Sequence, residues 1–551
     1  MGRSCSVRPF VRSGVSTLVC AAVTAWVGTA QAANFEVTTL TQLRGAIEQS
    51  NDNNEADVIT LTNGIIIADG QASGNTALPA ITSEITIKGQ GAAATTLERT
   101  ATSAEFRLLK VESGGNLTLK DLTLKGGYLS HLQGRTYENT GGAVQNYGTL
   151  TVRNVTFVEN AADAGGAISN IEGAELYVYD STFERNQTTW GWADGDGAAI
   201  LSEAAYAEIE RSIFRDNKTG LEPSDKRQSD GGAIENSIGE MLIKDSVFVG
   251  NVSYCGGAIE NAIGKLTVIN STFKDNFGVL HAGAIYGSEP RARYDTSNFG
   301  DGVIEIYNST LSENEAGEEG GGGVFMDAGI AIIRNSVLAQ NVAFDANGVA
   351  VAGRQDCGYI FNDEDGTQGR IIVQGTNLIT DMGNCLAEND AFDGETATVI
   401  HGDGVAALQW NADHYTLGSA SLAIAQGAEC EATDQLGNNR AAACDLGAVE
   451  NVALTTPNFV PDANRISVIG GFVMPTFEVN NDQNQDNQGD SQDEDAGDEN
   501  AVDDQQQSGS SQVSANSQSS AELRASSGGG GAFNPLLLML PALLGLRRRK
   551  A

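Results

Sequence analysis

Apolar and polar positions alternate in short runs along the middle of the chain: LTVRNVTF (150–157), ELYVYDSTF (175–183), LTVINSTF (266–273) and VIEIYNSTL (303–311). A period of two over so few residues predicts strands with one buried face. The runs belong to a longer repeat whose copies read NVTFVEN (154–160), DSTFERN (180–186), RSIFRDN (211–217), DSVFVGN (245–251), NSTFKDN (270–276), NSTLSEN (308–314) and NSVLAQN (335–341). After a variable loop most copies lead into a glycine-containing phrase: GGAISN (165–170), DGAAIL (196–201), GGAIEN (231–236 and 256–261), AGAIY (282–286) or GGGVF (321–325). Equivalent residues recur every 24 to 38 positions, and no helical period interrupts them.

Three short strands and three turns per repeat fit one rung of a parallel β-helix, in which each rung covers the edge of its neighbour at a spacing of about 4.8 Å. Like residues then form columns. Phe157, Phe183, Phe214, Phe248, Phe273, Leu311 and Leu338 make one interior column, and Val144, Ile168, Ile200, Ile234, Ile259, Ile285 and Val324 another. Asn160, Asn186, Asn217, Asn251, Asn276, Asn314 and Asn341 are expected to stack as an amide ladder at one corner. The fold class is therefore all-β, a single-stranded parallel β-helix. In FEVTTLTQLRGAIEQSN (35–51) the pattern changes to helical: Thr39 with Gln42 forms a capping box, and Leu40, Leu43 and Ile47 form one stripe. A short helix that lids the first rung follows.

Composition sharpens this picture at the ends. The net charge is -38, from 33 Lys plus Arg against 71 Asp plus Glu, which makes nucleic acid an unsuitable partner. Glycine is abundant at 66 residues against 9 prolines, without the Gly-X-Y register of collagen. Arg3, Arg8 and Arg12 precede the apolar run 15–28, and Ala30-Gln31-Ala32 supplies small residues, so a signal peptide cleaved between Ala32 and Ala33 is expected. Residues 480–527 carry eleven acids against Arg524 alone, a composition that reads as a disordered acidic stalk, with calcium sequestration as the sharper alternative. Gly528, Gly529, Gly530 and Gly531 are followed by an apolar stretch (532–546) and the basic cluster 547–550, a second sorting device. The expected organisation is a signal peptide (1–32), an N-terminal cap (33–54), the helix proper (55–350), last rungs with a disulfide-stapled C-terminal cap (351–479), the linker (480–527) and the sorting signal (528–551).

Of seven cysteines, Cys5 and Cys20 leave with the signal peptide. In an exported protein the remainder pair where they can, and proximity along the chain favours Cys357 with Cys385 and Cys430 with Cys444. Cys255 is left over and reads as a buried, inert thiol. No CxxC or Cys/His spacing suggests a metal, and no motif specifies a cofactor; Ca²⁺ has no particular residues behind it.

Two places offer chemistry. Long loops after Asn186 and Asn217 bring Trp190, Trp192, Asp194 and Asp196 beside Asp225, Lys226, Arg227 and Asp230, aromatic planes and charges that suit sugar rings. The plainer reading has these tryptophans packing on each other. The residue after each interior Ile points outward, which sets Glu235 beside Glu260 on adjacent rungs at a separation near that of a retaining glycosidase pair. Repetition alone also explains that coincidence, so catalysis there is the weaker reading.

The rungs resemble those of right-handed pectin-lyase-like β-helices and the glycine-glycine-alanine-isoleucine repeats of polymorphic outer-membrane proteins, strongly over 140–345 and more weakly over 55–140. Residues 35–127 resemble the CSLREA-type start of secreted β-helix proteins, although the cysteine in that motif's name is absent. Residues 335–450 resemble the choice-of-anchor Q segment, and the C-terminal tail resembles the GlyGly-CTERM signal of Gram-negative bacteria. These resemblances imply a right-handed helix, export through signal peptidase and type II secretion, trimming by a rhombosortase-like intramembrane protease, and display at the cell surface or release. No stacked aspartates of the kind found in polygalacturonases or calcium-dependent pectate lyases stand out. The leading expectation is a non-enzymatic adhesin that binds extracellular polysaccharide or another cell's surface. A β-helical glycoside hydrolase or polysaccharide lyase, and a structural surface or biofilm-matrix component, are the alternatives.

Overall fold

Short amphipathic strands leave two backbone edges each, and this chain satisfies them by stacking every strand on its counterpart one rung away. The computed structural model describes residues 32–451 apart from 54, 72–73, 130–136, 190–195, 221–229, 289–301, 318–319, 360–368, 382–384, 386–396 and 402–407. All of these lie in the first of two units, Met1–Asn480, the second being Asn481–Ala551. A 22-stranded sheet and a nine-stranded sheet, both pairing in parallel, curl around one axis. The result is a β-solenoid, a parallel β-helix with one helix near its N-terminus.

One rung illustrates the path. Ile168–Ile171 lies in what we term wall 3, Glu175–Tyr179 in wall 1 and Thr182–Glu184 in wall 2. Walls 1 and 2 belong to the larger sheet because Asn116–Lys125 and Thr149–Val158, ten residues each, bend through the corner between them. At that corner Asp121, Asn154, Asp180, Asp245, Asn270, Asn308 and Asn335 take positive φ of 47–55°. Asn and Asp tolerate this left-handed backbone better than other L-residues, and every copy of the repeat begins with one of them except that at Arg211, which takes φ 47° as well.

Inside the coil the apolar columns form a continuous core. Phe157, Phe183, Phe214, Phe248 and Phe273 stack with ring centroids 4.7 Å apart. The asparagine ladder runs from Asn160 to Asn341, each Nδ2 donating to the next Oδ1 at 2.9–3.0 Å. It ends on Asp356, which accepts from Asn341 at 2.8 Å. The repeat also hides a second ladder, in which Ser181, Ser212, Ser246, Ser271, Ser309 and Ser336 accept backbone N–H groups of the preceding rung.

The helix Leu40–Asn51 closes the N-terminal end, burying Leu40, Leu43 and Ile47 against the first strands. Thr39 is its N-cap and accepts from Gln42 N at 3.3 Å. In the return bond Thr38 N donates to Gln42 Oε1 at 2.9 Å, one residue earlier than a standard capping box would place it. At the other end, rungs continue to Thr398–Ile400. The antiparallel hairpin Leu408–Asn411 with His414–Leu417 follows, and residues 421–451 then run back along the outside of wall 2. This strap binds Asn335 through Ala428 O, Thr310 through Ala448 N, Asn270 through Thr433 O and Ser246 through Gln435. Its own centre is the buried Arg440, paired with Glu450 at 3.2 Å and donating to Asn270, Gly447 and Ala448. Cys430–Cys444 closes the strap and Cys357–Cys385 joins the last wall 3 strand to the chain beyond it.

Candidate functional site

Successive side chains of a strand face opposite ways, so each wall has an outer surface that the repeat leaves to be specified residue by residue. On wall 3, Ile234 and Ile259 enter the core while Glu235 and Glu260, register partners on adjacent strands, face the other way. The sequence leads one to expect an accessible carboxylate pair there. Instead Glu235 and Glu260 are both 0 % exposed, and Asp196 and Asp230 are 1 % and 2 % exposed.

Glu235 Oε1 accepts the Ser237 hydroxyl at 2.8 Å, while its Oε2 is buried without a hydrogen-bond partner among the described residues. Burial first, then the charges of Asp196 and Glu260, holds its carboxyl well above the usual carboxylate range. Further along, the row turns aromatic. The buried His281 ring stacks on Tyr286 at 5.0 Å and Phe325 at 5.1 Å, Tyr286 donates to Asp327 at 3.1 Å, and Cys255 packs in the same cluster. Burial lowers the His281 pKa to about 4, so the imidazole is neutral. Cys255 is 1 % exposed and outside both disulfides.

Trp190, Trp192, Asp194, Asp225, Lys226 and Arg227 lie outside the described residues, as do the C-terminal glycines 528–531. Of the two loops' residues, Asp196 and Asp230 are placed, and both are buried. Ala32 and Ala33 are described, and Ala33 N donates to Asp57 at 2.6 Å. Among the described residues no group of three or more His, Cys, Asp or Glu is arranged to hold a metal ion.

Wall 1 presents the opposite kind of surface. Its outward residues form three columns through the rungs: Glu175, Tyr206, Glu240 and Lys265; Tyr177, Glu208, Leu242, Thr267 and Glu305; Tyr179, Glu210, Lys244, Ile269 and Tyr307. Over the last four of these rungs lies a groove of about 250 Å³, with Glu431 of the strap on its flank. Lys265 pairs with Glu305 at 3.3 Å, Lys244 with Glu431 at 4.0 Å, and Arg211 with Glu210 at 2.6 Å. Glu208 accepts from Tyr179 at 2.8 Å and Tyr206 at 3.4 Å. Burial and then Glu208 push both phenols up to about 12. Sequence reasoning missed this face because its residues differ from rung to rung. The signal was the tyrosines of ELYVYDSTF, read only as a strand, together with that of AYAEIE (205–210).

The fold and these surfaces define a β-solenoid with one open polar-aromatic face and one dry one. Compared with protein-family models and with curated proteins, the chain matches none.

Proposed function

We propose that this is an exported, non-enzymatic β-helix protein that binds extracellular polysaccharide or another cell's surface through the outer face of wall 1. One observation carries the reading: an open groove of about 250 Å³ lined by carboxylates, amines, tyrosine and aliphatic side chains. Carboxylates and amines hydrogen-bond hydroxyls, and tyrosine offers an apolar ring with a polar tip. The volume is below the roughly 300–1,000 Å³ of enclosed small-molecule pockets, which suits a polymer lying on the surface rather than a sequestered metabolite. Rungs about 4.8 Å apart repeat at close to the length of a sugar ring.

The remaining features support the same reading. The repeats resemble pectin-lyase-like and polymorphic outer-membrane β-helices, and the termini resemble a signal peptide and a GlyGly-CTERM tail, so signal peptidase, type II secretion and a rhombosortase-like protease are the export partners we propose. Display at, or release from, a Gram-negative cell surface follows from them. A hydrolase or lyase ranks second, because Glu235 and Glu260 are adjacent and the Glu235 carboxyl is held above the usual range, but both are 0 % exposed.

Glycan-array binding by the purified full chain, run beside reducing-sugar and unsaturated-product assays, tests the choice. Binding without product is the expected result. Turnover of any bound polymer would replace the adhesin with the enzyme, and absence of binding would remove the wall 1 face.

A further inference from the structure

The groove's charges are unevenly satisfied. Of its four carboxylates, Glu210, Glu305 and Glu431 each have a cation within 4.0 Å. Glu208 has only two tyrosine hydroxyls as partners among the described residues. A carboxylate has about four lone-pair sites, so two donated hydrogen bonds leave acceptor capacity facing the groove.

Aromatic rings surround that capacity. Tyr177 is the register partner of Glu208 on the adjacent strand, and Tyr206 lies two residues before it on the same face. The Tyr177 and Tyr206 rings are 5.9 Å apart and tilted by 54°, forming an angled pair beside the carboxylate. The third ring, Tyr179, already has the Arg153 guanidinium 4.0 Å from its centroid. The Tyr206 hydroxyl donates to Glu208 and that of Tyr177 to Glu175. Tyrosine rings beside a carboxylate without a cation are elements of an ammonium site, since the ring quadrupole and the anion both attract a positive charge. Uronate polymers meet the reverse situation, a surplus carboxylate in a strongly acidic protein.

We infer that the Glu208 end of the groove takes the protonated amine of an amino sugar, making the ligand a polysaccharide with free amino groups. This rests on the reading of wall 1 as a glycan-binding face. The sugars lie along Leu242, Thr267 and Ile269, and the amine of the one at the Glu208 end enters between Tyr177, Tyr206 and Glu208.

The test is calorimetric titration of the full chain with fully deacetylated chitohexaose, its fully N-acetylated counterpart, oligogalacturonate and a lysine hexapeptide, for wild type and Glu208→Gln. The deacetylated oligomer is expected to bind about tenfold or more tightly than the acetylated one, an advantage that Glu208→Gln abolishes, so that the variant binds the two oligomers alike. Equal binding of both oligomers overturns the amine site and leaves the glycan face standing. Failure of every oligosaccharide removes both. Lysine peptide binding as tight as the amino sugar overturns the sugar as occupant, and an unchanged preference in Glu208→Gln, with its melting transition intact, overturns Glu208 as its receptor.

Discussion

Walls 1 and 3 are built from one repeat, by the same alternation and with the same rung spacing, yet their outer faces behave oppositely. On wall 1, Glu305 meets Lys265, Glu210 meets Arg211, and a groove opens between the side chains. On wall 3, Glu235, Glu260 and Asp196 are withdrawn from water, and burial with the neighbouring carboxylates holds the Glu235 carboxyl well above its usual range. Outward on a strand therefore does not mean exposed. The alternation sets only the side of the sheet, and what lies over that side sets the chemistry of the same residue type.

Matched substitutions break this comparison most directly. Leu201 is the wall 3 register partner of Glu235, 2 % exposed and packed with Ala164, Ile171, Tyr137 and Tyr147. Leu201→Asp removes that packing and adds a carboxyl beside one that is already dehydrated. A loss of about 4 kcal/mol or more in stability is expected, read by chemical denaturation, together with faster native alkylation of Cys255 two rungs on. A loss below about 1 kcal/mol would show that the wall 3 face is wet.

The strap gives the next largest effect and a different outcome. Cys430 and Cys444 close a loop with a sequence separation of 14, worth roughly 3 kcal/mol in the chain-entropy account. Replacing both with Ser loosens the segment that carries Glu431 to the wall 1 groove, while wall 3 stays dry. Cys255 is expected to remain protected from alkylation in that variant, and its rapid labelling would mean the two faces are not independent.

Most of the scaffold was legible because it repeats. Phe157 to Leu338 and Asn160 to Asn341 were readable as columns, since a parallel stack can be formed only by aligning like with like. Both disulfides were legible from chain proximity. The strap was not, because Gln435 reaches Ser246 across 189 residues and nothing in the local pattern of either segment encodes that contact. The candidate site escaped for the opposite reason. Tyr177, Glu208, Leu242, Thr267 and Glu305 share one position of the repeat, six residues before Phe183 and its counterparts, but the residue type there changes from rung to rung and leaves no like-with-like column to read.

Acidity separates the faces by a smaller amount. Below about pH 4.3, folded and unfolded chains both carry the Glu235 proton and its contribution to stability is complete. Above that value the unfolded chain releases a proton that the folded one retains, so stability declines by roughly 1.4 kcal/mol per pH unit until the buried carboxyl also ionises. Glu235→Gln keeps the shape and discards the proton. Urea midpoints from pH 4 to 8 are expected to show a flatter profile in this variant than in wild type, and parallel profiles would contradict a protonated Glu235.

The smallest effect is the most discriminating. Leu242 is the wall 1 counterpart of Leu201 in the matched pair: it too is the register partner of a glutamate, Glu208, in the adjoining strand. It is only half-buried, and it lines the groove rather than a dry cluster. Leu242→Asp therefore sets its carboxyl in contact with water, where repulsion from Glu208 is screened and the lost packing is partial. A change within about 1 kcal/mol is expected, in line with other substitutions away from buried features. The same residue change would then cost several times more on one wall than on its neighbour, although backbone, register and sequence context are shared. Equal destabilisation by Leu201→Asp and Leu242→Asp would show that the two faces are alike, and the open groove on which the glycan reading depends would go with that distinction.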